Sequence, residues 1–557
     1  MKRTALFLTL SSLLFTQQPQ MTFTRADTLR GTLSPARSCY DVTYYDLDVR
    51  IDTMKAPITG SNTIVFHVVN DFDVMQVDLF ENMNVDSLVL DGTERATYTR
   101  EFNAVFVKLP KEVKVGSMHS LQFFYSGTPQ EATNPPWGGG FTWTHDKAGN
   151  PWIVVTCEGL GASVWWPTKD HPSDEPDSMA ISITTRTGMD DVSNGRMRTK
   201  KDLGEGWTQF NWFVSYPINN YNVTFAIGKY SHFHDTHRSK DGDTLSLDYW
   251  VMQYDLARAR TQFKQVKPMM QCFEDFFGKY AFYRDGYKLL QTPHLGMEHQ
   301  SAVAYGNDYV QGYRGTASSP AGIKFDFIII HESAHEWWGN AVSAADHADM
   351  WIHESFGAYA EAVYVECRWG YDEAMKYVNG KKPNVRNDRP IQGPYGVNKS
   401  GSGDMYDKGQ LVLNTLRHAI GNDKLWWEIV LEIQNRFRYK AINADEIFSL
   451  VNEKTGRDWS SFFEQYFKKS SGPKLEVTVS KKADSTTIRY RWRAEVQGFA
   501  MPVKITDAKG KWITIVPTNM WQMMQVAKLD PAKFRVAEDQ FYIETSIRRT
   551  YIDPNRK

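Results

Sequence analysis

From about residue 40 to 250 apolar and polar positions alternate along the chain. Tyr45, Leu47, Val49 and Ile51 are interleaved with Asp46, Asp48, Arg50 and Asp52, the period of two that turns successive side chains to opposite faces of a strand. Similar short segments recur between Gly, Pro, Asn and Asp punctuation, which predicts a large twisted β domain over 37–250 with one solvated face. Near 253 the period switches: Leu256, Ala259, Phe263, Val266, Met270, Phe273 and Phe277 step by three and four, with Pro268 expected to kink or split the helix they define. Helical spacing continues around 331–369 and 406–420, so 251–472 reads as a mainly α domain with a small sheet before it. After Ser470-Ser471-Gly472-Pro473 alternation returns, Ile488, Tyr490 and Trp492 against Arg489, Arg491 and Arg493. This predicts a small C-terminal β domain, sandwich-like, over 473–557, whose arginines form a solvated strand face. The fold class is α+β, in several domains.

Composition narrows the function without naming it. At 557 residues a single core is improbable. A net charge of −1 offers no electrostatic footprint for nucleic acid or an anionic membrane, so neither is expected as a partner. The first residues, MKRTALFLTLSSLLF, set two basic residues before an apolar stretch too short to span a bilayer, the layout of a secretory signal peptide over 1–20. No later run of about twenty apolar residues appears. An exported protein, periplasmic or secreted, is expected. Cys39, Cys157, Cys272 and Cys367 are widely scattered, and their spacing leaves any pairing open.

The chemistry is concentrated in IIIHESAHEWWGN. On a helix His331 and His335 lie one turn apart on one face, so both imidazoles can reach one metal ion, while Glu332 beside them can hold a water. The segment MWIHESFGAYAEAVYVECRWG, also helical in spacing, can return Glu354 as third ligand. Two nitrogens and one carboxylate leave a fourth position for water, the pattern of catalytic rather than structural zinc. His353 is a competing ligand ranked below Glu354, because neighbouring helical positions point about 100° apart. Glu361, two turns beyond Glu354, could orient a ligand imidazole or be an ordinary buried partner.

These residues resemble the gluzincin aminopeptidases of peptidase family M1, which include aminopeptidase N and the leukotriene-hydrolase-type enzymes. That family places its third ligand nineteen residues after the second histidine, the separation of Glu354 from His335. LGMEHQ, with Gly296, Met297 and Glu298, is similar to its amine-recognition motif; TCEGLGASVWWPTKDHPSDEP, with Glu158, to its domain-one stretch; MYDKGQLVLNTLR, with Tyr406, to its catalytic-tyrosine segment. Leu295 and His299 stand where the family usually has glycine and asparagine, and Ser163 where some relatives have arginine. The resemblance implies a thermolysin-like catalytic domain over 251–472 and one Zn²⁺ per chain on His331, His335 and Glu354. It further implies Tyr406 as an oxyanion donor, and Glu298 and Glu158 as acceptors of a substrate's free α-ammonium.

The expected activity is hydrolysis of the N-terminal peptide bond of peptides by a metal-activated water, with Glu332 as general base. Three alternatives remain at this stage. A zincin endopeptidase would share the metal site without needing Glu298 and Glu158; an epoxide-opening hydrolase of the same family would share every motif; an inactive peptide-binding protein would need none of them. The preferred N-terminal residue and the oligomeric state are not legible in the sequence.

Overall fold

A computed structural model describes residues 22–552; the expected signal peptide at 1–20 lies outside them. The N-terminal β domain is built on an eight-stranded sheet in the order Arg196–Gly204, Trp207–Val214, Ser178–Arg186, Tyr40–Arg50, Ile58–Val68, Met118–Gly127, Met83–Leu90, Glu94–Arg95. Tyr40–Arg50 pairs parallel with Ser178–Arg186 and antiparallel with Ile58–Val68. Its alternation is the predicted one: Tyr45, Leu47, Val49 and Ile51 are buried, and Asp46, Asp48 and Arg50 are exposed. A four-stranded sheet (Asp190–Ser193, Phe225–Gly228, Pro151–Thr156, Gly140–His145) ends at Thr156, directly before the loop that carries Glu158.

A five-stranded sheet lies between this domain and the helical one, in the order Tyr230–Arg238, Thr244–Met252, Tyr287–Gln291, Val303–Tyr305, Gly296–Met297. Its period of two serves both neighbours. Leu247, Tyr249, Val251, Tyr287, Leu289, Val303 and Tyr305 join the apolar core of the helical domain, whereas Met252, Leu290, Met297 and Ala304 join that of the β domain. The boundary expected at 250 falls inside Thr244–Met252, which pairs with Tyr287–Gln291. Residues 230–252 therefore go with the sheet of the catalytic half, because hydrogen-bonded pairing rather than the change of period decides which unit a strand joins.

The helix expected near 253 is divided. Leu256–Gln262 and Val266–Phe277 are separated by a 3₁₀ turn at Phe263–Gln265, and Pro268 sits in the first turn of the second piece. A proline's missing N–H has no partner to lose in a first turn, so the break precedes it. The C-terminal β domain has a four-stranded sheet (Gln522–Ala527, Ser485–Arg493, Lys474–Lys482, Glu544–Ile552) and a ribbon of Val503–Thr506 with Trp512–Ile515. Ile488, Tyr490 and Trp492 point into its core, while Arg489 and Arg493 face solvent and Arg491 pairs with Glu476 at 2.7 Å. The four cysteines are free thiols, with Cys367 the exposed one. No helix among the described residues is long and apolar enough to cross a membrane.

Candidate active site

The first metal-motif helix is Phe327–Ala334, capped by Asp326, whose side chain accepts from Ile328 N at 3.1 Å. Asp326 also accepts from Gln262 Nε2, Tyr305 OH and Asn307 Nδ2 at 2.7 to 2.8 Å, which anchors the helix start to the preceding sheet. The regular helix stops one residue before His335, which nevertheless keeps helical φ and ψ. The two imidazoles still converge, with Nε2 atoms 3.3 Å apart. Glu354 arrives from the first turn of Trp351–Trp369, a helix buried over its first fifteen residues. Its Oε2 lies 3.7 Å from His331 Nε2 and 3.6 Å from His335 Nε2.

Whether this trio fits a metal can be read from its unused valences. Glu354 Oε2 is buried with no hydrogen-bond partner, a costly state for a carboxylate oxygen unless a cation meets it. His331 Nδ1 donates to Glu361 Oε1 at 2.8 Å and His335 Nδ1 to the Trp338 carbonyl at 2.9 Å, so both Nε2 lone pairs face Glu354. The ligand atoms lie within 4.8 Å of one another. A nitrogen, nitrogen and carboxylate set of this kind suits zinc. His353 is turned away: Ala344 N–H donates to its Nε2 at 2.9 Å, and its ring stacks on Tyr221. Glu361 is held in turn by Tyr377 OH at 2.5 Å and Lys381 Nζ at 3.3 Å, so a chain of buried contacts backs one ligand.

The same pocket gathers three more carboxylates. Oxygens of Glu158, Glu298 and Glu354 fall within 4.8 Å of one another, as do the ligand atoms of Glu298, Glu332 and His335. Tyr221 OH donates to Glu298 Oε1 at 3.1 Å, and Asn340 Nδ2 holds the Glu298 carbonyl at 2.9 Å. Burial, followed by repulsion from Glu298, Glu354 and Glu332, raises the Glu158 carboxyl well above its ordinary range. Burial, opposed by His331 and reinforced by the neighbouring glutamates, pushes Glu332 up to about 8. Glu298 is raised by burial against the hydrogen bonds it accepts. Such a cluster is relieved by positive charge.

The cleft that holds these groups has a volume of about 630 Å³ and is walled by both halves of the molecule: Trp137 and Glu158 from the β domain, and Gly296, Met297, Glu298 and Tyr406 from the other. Gly296–Met297 is the edge strand of the five-stranded sheet. A Cβ at Gly296 would stand 2.6 Å from Glu332 Oε1, so only glycine lets this edge approach the Glu332 carboxyl so closely. Tyr406 immediately precedes the helix Asp407–Ile420 and stacks on His331 with ring centres 6.0 Å apart. All nine expected site residues thus line one cavity. Sequence reasoning missed Tyr221, Tyr377 and Lys381, which lie outside the motifs; Asn340 was within reach, as the last residue of HEWWGN.

A model of the Peptidase M1 N-terminal domain matches residues 42–221, and one of the Peptidase family M1 domain matches residues 261–466. The chain belongs to peptidase family M1. Among curated relatives, the Tricorn protease-interacting factor F2 of Thermoplasma acidophilum is 22% identical over 419 residues, covering 71% of this chain and 51% of its own length. The human endoplasmic reticulum aminopeptidase 1 is 23% identical over 353 residues, covering 60% and 36%. The chain thus spans about half or less of the length of the curated relatives it matches. An M1 zinc metallopeptidase from Deinococcus radiodurans, solved with Tyr-Ser-Ala as substrate, shares the fold at a TM-score of 0.64 and 20% identity, covering 78% of this chain and 95% of that one. The family agrees with the zinc-type donor set.

Proposed function

We propose that this chain is a zinc aminopeptidase that holds one zinc on His331, His335 and Glu354 and removes the N-terminal residue of peptides with a free α-ammonium. The observation that carries the reading is the closeness of the carboxylates to the ligand trio, with oxygens of Glu158 and Glu298 within 4.8 Å of Glu354. In a peptide the α-nitrogen is two bonds from the first carbonyl carbon, about 2.5 Å, and each further residue adds about 3.8 Å. An ammonium held by Glu158 and Glu298 therefore leaves the first carbonyl beside the ligands and carries the next one about 3.8 Å further away. This favours an aminopeptidase over an endopeptidase.

His331, His335 and Glu354 would hold a zinc ion, which would lower the pKa of a water to about 7 and polarise a carbonyl. Glu332 takes the proton of the attacking water and later returns it to the leaving amine. Tyr406 donates its hydroxyl to the oxyanion of the tetrahedral species, a contact worth a few kcal/mol in a dry site. The edge strand Gly296–Met297 offers backbone groups to an extended substrate. Glu298 and Glu158 form charge-assisted hydrogen bonds with the ammonium, which a blocked terminus cannot make.

The test is a panel of fluorogenic aminoacyl substrates and matched N-acetylated peptides, with and without a chelator. Chelator-sensitive stepwise loss from the free N-terminus is expected. Efficient internal cleavage of acetylated peptides would make the chain an endopeptidase.

A further inference from the structure

Glu158 stands on a loop that lacks the support of a strand or helix. Pro151–Thr156 ends before it and a 3₁₀ turn, Ala162–Val164, follows. Within the loop Gly161 has φ 95° and its N–H donates to the Cys157 carbonyl at 2.6 Å. A Glu158 carboxyl oxygen lies within 4.8 Å of oxygens of Glu298 and Glu354, so the hold on the loop sets where that carboxylate stands.

Two contacts supply that hold. Ser163 Oγ donates to Asp170 Oδ2 at 2.6 Å, which fixes the far end. Arg30 Nη1 donates to the Gly159 carbonyl, the peptide next to Glu158, at 3.0 Å, while Arg30 Nε lies 3.5 Å from the same Asp170 oxygen. The Arg30 side chain is only 12% exposed. A Cβ at Gly161 would come within 2.0 Å of Asp170 Oδ2 and 2.3 Å of Arg30 Nη2, so the turn closes directly onto this ion pair. Arg30 and Glu158 line one small cavity, closed on its other side by Tyr221, His347 and His353.

Arg30 belongs to a strap, Thr24–Cys39, upstream of the first matched family segment. The strap is fastened to the β domain, where Gln76 Nε2 donates to the Leu29 carbonyl at 3.1 Å and Arg37 pairs with Asp78. It is fastened also to the catalytic half, where Thr32 Oγ1 donates to the Gly396 carbonyl at 2.8 Å and Asn398 N–H to the Asp27 carbonyl at 3.1 Å.

We propose that Arg30 is a positioning residue for substrate-amine recognition, clamping the Glu158 loop from behind so that the carboxylate stays beside Glu298. This rests on the assignment of Glu158 to the substrate's ammonium. Arg30 does not line the cleft; it acts through the Gly159 carbonyl and Asp170.

The experiment compares free and N-acetylated peptides for Arg30→Met in the wild-type and Glu158→Gln backgrounds, with zinc content measured in each. Arg30→Met is expected to keep its zinc, to raise KM for free peptides more than it lowers kcat, and to shrink the free-to-acetylated ratio of kcat/KM by about tenfold or more. Arg30→Lys, which can still donate to the carbonyl, should recover part of the ratio. In the Glu158→Gln background the Met substitution should change the ratio by less than about twofold, since the residue it positions is already impaired. Should methionine at 30 prevent folding, Arg30→Gln is read the same way. An unchanged ratio where Glu158→Gln lowers it overturns the role of Arg30 and leaves that of Glu158 standing. An equal fall in both backgrounds makes Arg30 structural only. A ratio unmoved by Glu158→Gln removes the amine assignment itself, and this proposal with it.

Discussion

The cleft has two halves built on different principles. The proposed metal half comes from two buried helices and a span of twenty-four residues, with the histidines one helical turn apart and each imidazole turned inward by a hydrogen bond at its Nδ1. The proposed amine half is gathered from distant places, Glu158 on a loop of the β domain, Tyr221 near that domain's end, Glu298 after an edge strand and Arg30 on the strap. One half is held mainly by its helices and the other by hydrogen bonds and an ion pair between distant segments. The metal half should therefore respond to substitution in an all-or-none way, and the amine half by degrees.

The largest effect is expected for His335→Ala. It should lose zinc and bring turnover to background, since two remaining ligands hold the ion poorly; metal analysis checks this, and full occupancy would remove His335 from the ligand set. Glu332→Gln should keep its zinc yet lower kcat by about 10³-fold, because an amide cannot accept the proton. Tyr406→Phe should behave similarly at about 10²-fold, with kcat falling more than KM rises. Near-normal kcat in either variant breaks the comparison at its metal side.

On the amine side, Glu298→Ala should cost about a hundredfold on free peptides and far less on acetylated ones, narrowing the gap between them. A uniform loss on both would mean that Glu298 supports the fold rather than the ammonium. Glu361→Gln tests the outer support of the metal half: zinc affinity should fall by about ten- to a hundredfold, measured by competition with a chromophoric chelator.

The smallest effect is on stability. His294 and His299 flank the Gly296–Glu298 segment, and burial lowers both to about 3 from an ordinary value of 6.5. Because the folded-state values lie below the unfolded ones, the unfolded chain takes up protons first as pH falls. Their contribution is fully present above about pH 6.5 and is lost progressively towards pH 3. Denaturant unfolding at pH 7 and pH 5 should differ by a few kcal/mol, and His294→Leu should flatten that slope. An unchanged slope would mean that this histidine does not enter the folded state neutral.

The amino-acid sequence by itself determined whatever depends on short-range periodicity. His331 and His335 could be put on one face on paper because a helix repeats every 3.6 residues whatever surrounds it, and the buried face of Tyr40–Arg50 was readable because a strand repeats every two, whereas the return of Glu354 on a second helix needed the tertiary structure. The family motifs added Glu298, Glu158 and Tyr406 as residues without geometry. Only the tertiary structure decided that 230–252 pairs into the sheet of the catalytic half, since a strand's partner is chosen by edges that its own text does not contain. Only it decided that Lys381 and Tyr377 back Glu361, and that Arg30, 128 residues before Glu158, clasps the loop carrying that carboxylate. Hydrogen bonds and ion pairs between distant segments have no period, so nothing along the chain announces them until the domains close.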